Sequence, residues 1–195
     1  MADSTPSATS DSAATRRPTE PDGDAWQTWF DAVRLPGVDQ AIGDVYARLD
    51  EAVSQRGPTC WISGRCCNFD AYGHRMYVTA LEIAWVVAKK ARSDAPGIGT
   101  KARRGSEHAR ASDVDLKGAC MFQVDGLCGI HGIRPLGCRV FFCQEGTQDW
   151  QQDVYERFLS ELRALHDAHG LPYRYMEWRA GLHEALAFVE ADSNA

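Results

Sequence analysis

Seven cysteines stand in two clusters, Cys60, Cys66 and Cys67 in the first and Cys120, Cys128, Cys138 and Cys143 in the second. A thiolate is a soft donor for Zn(II), Cu(I) or iron with sulfide, and four converging thiolates complete a tetrahedral or iron-sulfur shell. Seven thiols allow one shell with spares or two that share ligands, and an odd count makes complete pairing into disulfides impossible. Gly64, Gly118, Gly126, Gly129, Gly132 and Gly137 accompany them and free the backbone to wrap around an ion. All seven cysteines are therefore candidate metal ligands, with buried structural cysteines as the competing reading.

The intervals between successive cysteines are five, zero, 52, seven, nine and four residues. No Cys-x-x-Cys occurs, so a thioredoxin-type redox pair, a zinc ribbon and a Cys2His2 finger all lack their basic element, and neither ferredoxin spacing is present. An ion held across the 52-residue gap would staple distant segments and contribute folding energy. Adjacent Cys66 and Cys67 point to different sides of an extended chain, so both bind one ion only through a contorted turn. Arg134 and Arg139 flank Cys138. Each is either an exposed charge or salt bridge, or a donor of guanidinium N–H groups to thiolate sulfur, which makes both candidate cofactor-binding residues. Pro135 between them presents Cys138 from a rigid turn or a helix start.

Cys-x5-Cys-Cys, then Cys120-x7-Cys128, then Ile133-Arg134-Pro135-Leu136-Gly137-Cys138-Arg139 resembles the YkgJ-type cysteine-cluster family, described as zinc- or iron-chelating domains. The resemblance covers roughly residues 58 to 143 and extends to the Met76-Tyr77-Val78-Thr79 to Glu82 transition, similar to the strand-then-helix that follows the double cysteine there. It implies mostly helical folding around a cysteine-lined centre holding zinc or an iron-sulfur cluster. Ser63 departs from it, standing where the family usually has a further cysteine, and a hydroxyl is a poor substitute for a soft thiolate. His131 stands where the family commonly has Tyr, and either His131 or Cys143 can complete a shell. The pattern is also similar to that of flagellin lysine N-methylases, which implies protein methylation by analogy.

Helices must position these thiols. Val38, Ile42, Val45, Leu49 and Val53 recur at spacings of four and three, which predicts a helix that Gly57-Pro58 stops. Met76-Tyr77-Val78 is short and β-prone, and Thr79-Ala80-Leu81-Glu82 fits a capping box that opens a helix from about Ala80 to Ala91. Lys89, Lys90 and Arg92 at its end serve local electrostatics and solubility. Trp150, Val154, Phe158, Leu162 and Leu165 predict the longest helix, ending near Gly170, and Met176 to Val189 predicts another. The expected fold is mainly α: a small helical domain over 25–195 with an irregular Gly- and Cys-rich metal-binding centre and at most short strands. Residues 1–24, without an aromatic, are expected to be a disordered tail, and Trp26 to start the folded part.

The chain of 195 residues carries 21 basic and 27 acidic side chains, a net charge of −6, and so has no global attraction for nucleic acid. From Ser93 to Lys117 the chain loses periodicity and is expected to be an exposed loop; over 89–117 eight basic residues outnumber four acidic ones, so this basic stretch can meet an acidic protein partner, although a solvated face is the commoner role of such a run. No apolar run approaches a membrane span, and Pro18-Thr19-Glu20-Pro21-Asp22 occupies the place of an export signal's apolar segment. A cytoplasmic location is expected. Three functions follow: a cytoplasmic metal-binding protein, an N-methylase-like enzyme that lacks a Gly-x-Gly-x-x-Gly element, and a thiol-based redox or metal sensor.

Overall fold

The protein, a computed structural model, is described over residues 23–60, 63–93 and 109–193. The chain runs α1 (Gly23–Ala32), α2 (Pro36–Arg56), α3 (Phe69–Tyr72), β1 (Tyr77–Thr79), α4 (Ala80–Ser93), β2 (Gln123–Val124), β3 (Leu127–Cys128), α5 (Leu136–Val140), α6 (Gln148–Ala168), β4 (Tyr175–Glu177) and α7 (Trp178–Asp192). It is mainly helical, as expected, and no strand among the described residues exceeds three residues. None of the described helices is long and apolar enough to cross a membrane.

Helix α1 was not anticipated, and it starts at Gly23, inside the segment expected to be tail; residues 1–22 lie outside the described residues. Trp26, Trp29 and Phe30, with Val33 just beyond the helix, share one face and are all buried. Trp29 donates Nε1–H to the Pro172 carbonyl at 2.9 Å, and Phe30 stacks on Phe188 at 5.7 Å, which fastens α1 to the far end of the chain. Helix α2 buries Val38, Ile42, Val45, Tyr46 and Leu49. Gly57, at φ 63°, closes it by donating its amide to the Val53 carbonyl, a left-handed stop that costs glycine nothing.

The capping box is realised. The Thr79 amide donates to Glu82 Oε2 at 2.8 Å and the Glu82 amide to Thr79 Oγ1 at 3.2 Å. Glu82, 1% exposed, also accepts from Tyr46 Oη of α2 and from the Leu136 amide that opens α5, each at 2.8 Å. Burial pushes its carboxyl above the ordinary value, against the pull of these donors. Helix α4 buries every residue from Ala80 to Val87 and packs against α1 on one side and α7 on another, while α2 packs on α6.

Three expectations need correction. The segment from Met176 is not helical at its start: Tyr175–Glu177 pairs antiparallel with β1, Val78 opposite Met176. The helix begins only at Trp178, where the Glu177 carboxylate caps it by accepting from the Ala180 amide. Helix α6 is not uniquely the longest, since α2 and α6 are 21 residues each. Lys89 acts beyond its own helix, pairing with Asp39 of α2 at 2.7 Å and lying over the Trp85 ring. Of the basic segment 89–117, residues 94–108 lie outside the described residues; the rest is not simply an exposed loop, since α4 runs to Ser93 and Ala111 and Val114 are buried.

Candidate metal centre

Five of the seven cysteines, from three chain segments, lie near one another. The first segment is a 3-10 turn, Arg65–Cys67, entered through Gly64 at φ 69°. It supplies the contorted turn that adjacent cysteines require: Cys66 Sγ and Cys67 Sγ lie 3.8 Å apart. Gly64 also abuts the second segment, since its carbonyl accepts from Gln123 Nε2 at 2.8 Å and a Cβ on it would stand 3.1 Å from the Gly126 carbonyl oxygen. The Cys120 amide donates to the Cys67 carbonyl at 2.7 Å, which joins the two clusters through the backbone.

Cys128 is carried by the hairpin β2–β3, opposite Gln123. Its two-residue turn is Asp125 at φ 51° and Gly126 at φ 78°, the Asp-Gly chemistry of tight hairpins. Cys138 sits in α5, whose first turn hangs on Pro135: the Cys138 amide donates to the Pro135 carbonyl at 3.0 Å. Because the next amide, that of Leu136, is held by Glu82, the capping box of α4 also sets the position of Cys138.

Cys67 is the hub. Its thiol interacts with those of Cys120, Cys128 and Cys66, and these neighbours push its pKa up. The converse holds for its neighbours. Cys66 is lowered to about 6 and Cys128 to about 7, in both cases chiefly by the Cys67 thiol and further by the Arg134 charge. Cys120 is lowered by Cys67 and by the Trp178 indole. Burial, with the Cys120 and Cys128 charges, holds Cys138 well above its ordinary value.

The two arginines divide. Arg134 lends its field to the thiols, but its N–H groups go to the carbonyls of His131 and Cys138 at 3.0 and 3.3 Å. Arg139, 4% exposed, takes the salt-bridge role: it pairs with Asp50 at 2.7 Å, donates to the carbonyls of Arg134 and Gly132, and stacks over Tyr46 at 4.3 Å. Among the described residues, no guanidinium donates to sulfur. That donation comes from Trp178, whose Nε1–H meets Cys120 Sγ at 3.4 Å in a buried contact. Nothing in the sequence around Trp178 marks it as the partner of a thiol.

Two cysteines stand outside the hub. Cys60 is exposed and has no side-chain partner among the described residues, while Cys143 lies 3.5 Å from Ser63 Oγ. His131 is exposed beside Arg134 and Arg139. Among the described residues, no group of three or more His, Cys, Asp or Glu side chains is placed so that it could hold a metal ion. No family model, curated protein or solved structure matches the chain.

Proposed function

We propose that the chain is a cytoplasmic metal-binding protein of the YkgJ type that holds zinc or an iron-sulfur cluster through Cys66, Cys67, Cys120 and Cys128, with Cys138 alongside. The observation that carries this reading is the gathering of these thiols on Cys67 from segments 52 residues apart in sequence. In chemistry the donor set suits a soft ion, around which the side chains would have to close. With zinc-sulfur bonds of about 2.3 Å, the edge of a tetrahedral thiolate shell is about 3.8 Å, and the Cys66 and Cys67 sulfurs are 3.8 Å apart. Cys66, Cys120 and Cys128, with lowered pKa values, are ready donors. Cys67 must shed its proton, so binding is coupled to proton release and weakens in acid. Zinc here would act as a staple between the clusters, and an iron-sulfur cluster would add electron transfer.

Anaerobic metal analysis of the full chain, with an acid-labile sulfide assay and an absorption spectrum, tests the reading. The expected result is stoichiometric zinc in a colourless sample, or iron with matching sulfide in a coloured one. Cys67→Ala and Cys138→Ala should strip or weaken the metal, and Cys60→Ala should keep it. Metal-free protein, or metal content unchanged in Cys67→Ala, overturns it.

A further inference from the structure

We infer that Cys60 and Cys143, the two cysteines outside the hub, form a reversible disulfide that clasps the first cysteine segment to the turn after α5. The argument rests on two tethers. The Thr59 amide donates to Gln144 Oε1 at 2.8 Å, and Ser63 Oγ lies 3.5 Å from Cys143 Sγ. Residues on both sides of Cys60 are thus bonded to the consecutive pair Cys143 and Gln144, and Cys60 is one residue, about 3.8 Å along the chain, from the first of these anchors. The receiving side is rigid. Gln151 of α6 accepts from the Phe142 amide at 3.1 Å and donates to the Phe142 carbonyl at 3.0 Å, and Thr147 Oγ1 donates to the Gln144 carbonyl at 2.6 Å. Cys143 is therefore presented from a turn fixed on both flanks.

Two thiols and one hydroxyl do not complete a soft-metal shell, whereas two thiols held within reach are the reactants of disulfide exchange. Cys60, the exposed partner, meets the oxidant first. With a peroxide, its thiolate attacks one oxygen, the O–O bond breaks, a sulfenic acid forms and hydroxide leaves. The Cys143 thiolate then attacks that sulfur and displaces the second oxygen as hydroxide, so two thiols and one peroxide give one disulfide and two waters. A dithiol reductant returns both electrons through a mixed disulfide. The inference is independent of whether the hub holds a metal.

The sequence makes the test clean. Tryptic peptides 57–65 and 140–157 each contain one cysteine, Cys60 and Cys143, while the hub cysteines fall in peptides 66–75 and 118–139, because trypsin does not cut before Pro135. The full chain, as purified anaerobically, is treated with one equivalent of hydrogen peroxide, alkylated and mapped by mass spectrometry. The expected product is the 57–65/140–157 linked pair, two hydrogens lighter than the sum and removed by dithiothreitol. Gln144→Ala, which deletes one tether, should slow its formation about tenfold through lost effective concentration, and Cys60→Ser should leave Cys143 alkylated rather than paired elsewhere. Peroxide that links Cys60 or Cys143 to a hub peptide, or leaves both fully alkylatable, overturns the inference. An equal rate in Gln144→Ala removes its geometric basis.

Discussion

Replacing Glu82 by Gln tests how one buried carboxylate holds the thiol segment to the helical core. The swap keeps shape and volume, so no cavity forms. Oε1 accepts from Tyr46 Oη and the Leu136 amide, and Oε2 from the Thr79 amide and hydroxyl. Each oxygen thus faces one backbone N–H, which can only donate. A carboxyl oxygen, protonated or not, keeps a lone pair for that amide; the side-chain nitrogen of the variant has none, whichever way it is placed. One hydrogen bond worth about 1 kcal/mol is lost and one buried donor is orphaned at about 1–3 kcal/mol, so E82Q should cost about 2–4 kcal/mol. At about 2 kcal/mol per molar urea, the unfolding midpoint should fall by about 1–2 M. The loss also depends on pH. Because the folded carboxyl is raised above its ordinary value of 4.5, its contribution is complete below that pH and shrinks as pH rises. The deficit of E82Q should therefore be larger at pH 5 than at pH 8. A midpoint within about 0.3 M of wild type at both pH values, where about 0.6 kcal/mol separates the proteins, would refute the donor count.

Two further outcomes are expected. Gly64→Ala puts a side chain at φ 69°, with its Cβ 2.7 Å from Gln123 Nε2 and 3.1 Å from the Gly126 oxygen; left-handed backbone alone costs about 1–2 kcal/mol. Urea unfolding should show that loss, and faster alkylation of Cys67 should show that the first thiol turn has moved from the hairpin. His166 is 1% exposed and donates Nδ1–H to the Pro172 carbonyl at 3.0 Å, and burial, which disfavours its charged form, holds its pKa below the ordinary 6.5. Its contribution is complete above pH 6.5 and is lost as pH falls through the folded value. Thermal melts should therefore show a steeper decline below pH 6.5 in wild type than in His166→Gln. His74 and His131, depressed in the same direction, keep some slope in the variant.

What could be read in advance follows from how local each determinant is. The capping box at Thr79 and Glu82, the stripe from Val38 to Leu49 and the stop at Gly57 are written within a few residues, and all three are realised. Helix α1 is equally local, since Trp26, Trp29, Phe30 and Val33 carry the same spacing, but the polar run before them obscures it. The Asp125-Gly126 turn gave an equally local signal for the hairpin that carries Cys128. Strand β4 was hidden because Tyr175–Glu177 is a strand only through pairing with β1, a partner almost a hundred positions away. Separation in sequence likewise concealed Asp50 as the ion-pair partner of Arg139 and Trp178 as the donor to Cys120. Residue type shows that a group needs a partner; only the tertiary structure selects which one.

The contact between the Trp178 indole and the Cys120 sulfur places a chromophore one hydrogen atom away from the thiol hub. Its emission responds to charge and heavy atoms nearby, so alkylation, oxidation or ion capture at that sulfur should each leave its own optical imprint. Of the six tryptophans in the chain, this one makes the protein its own gauge of events at Cys120.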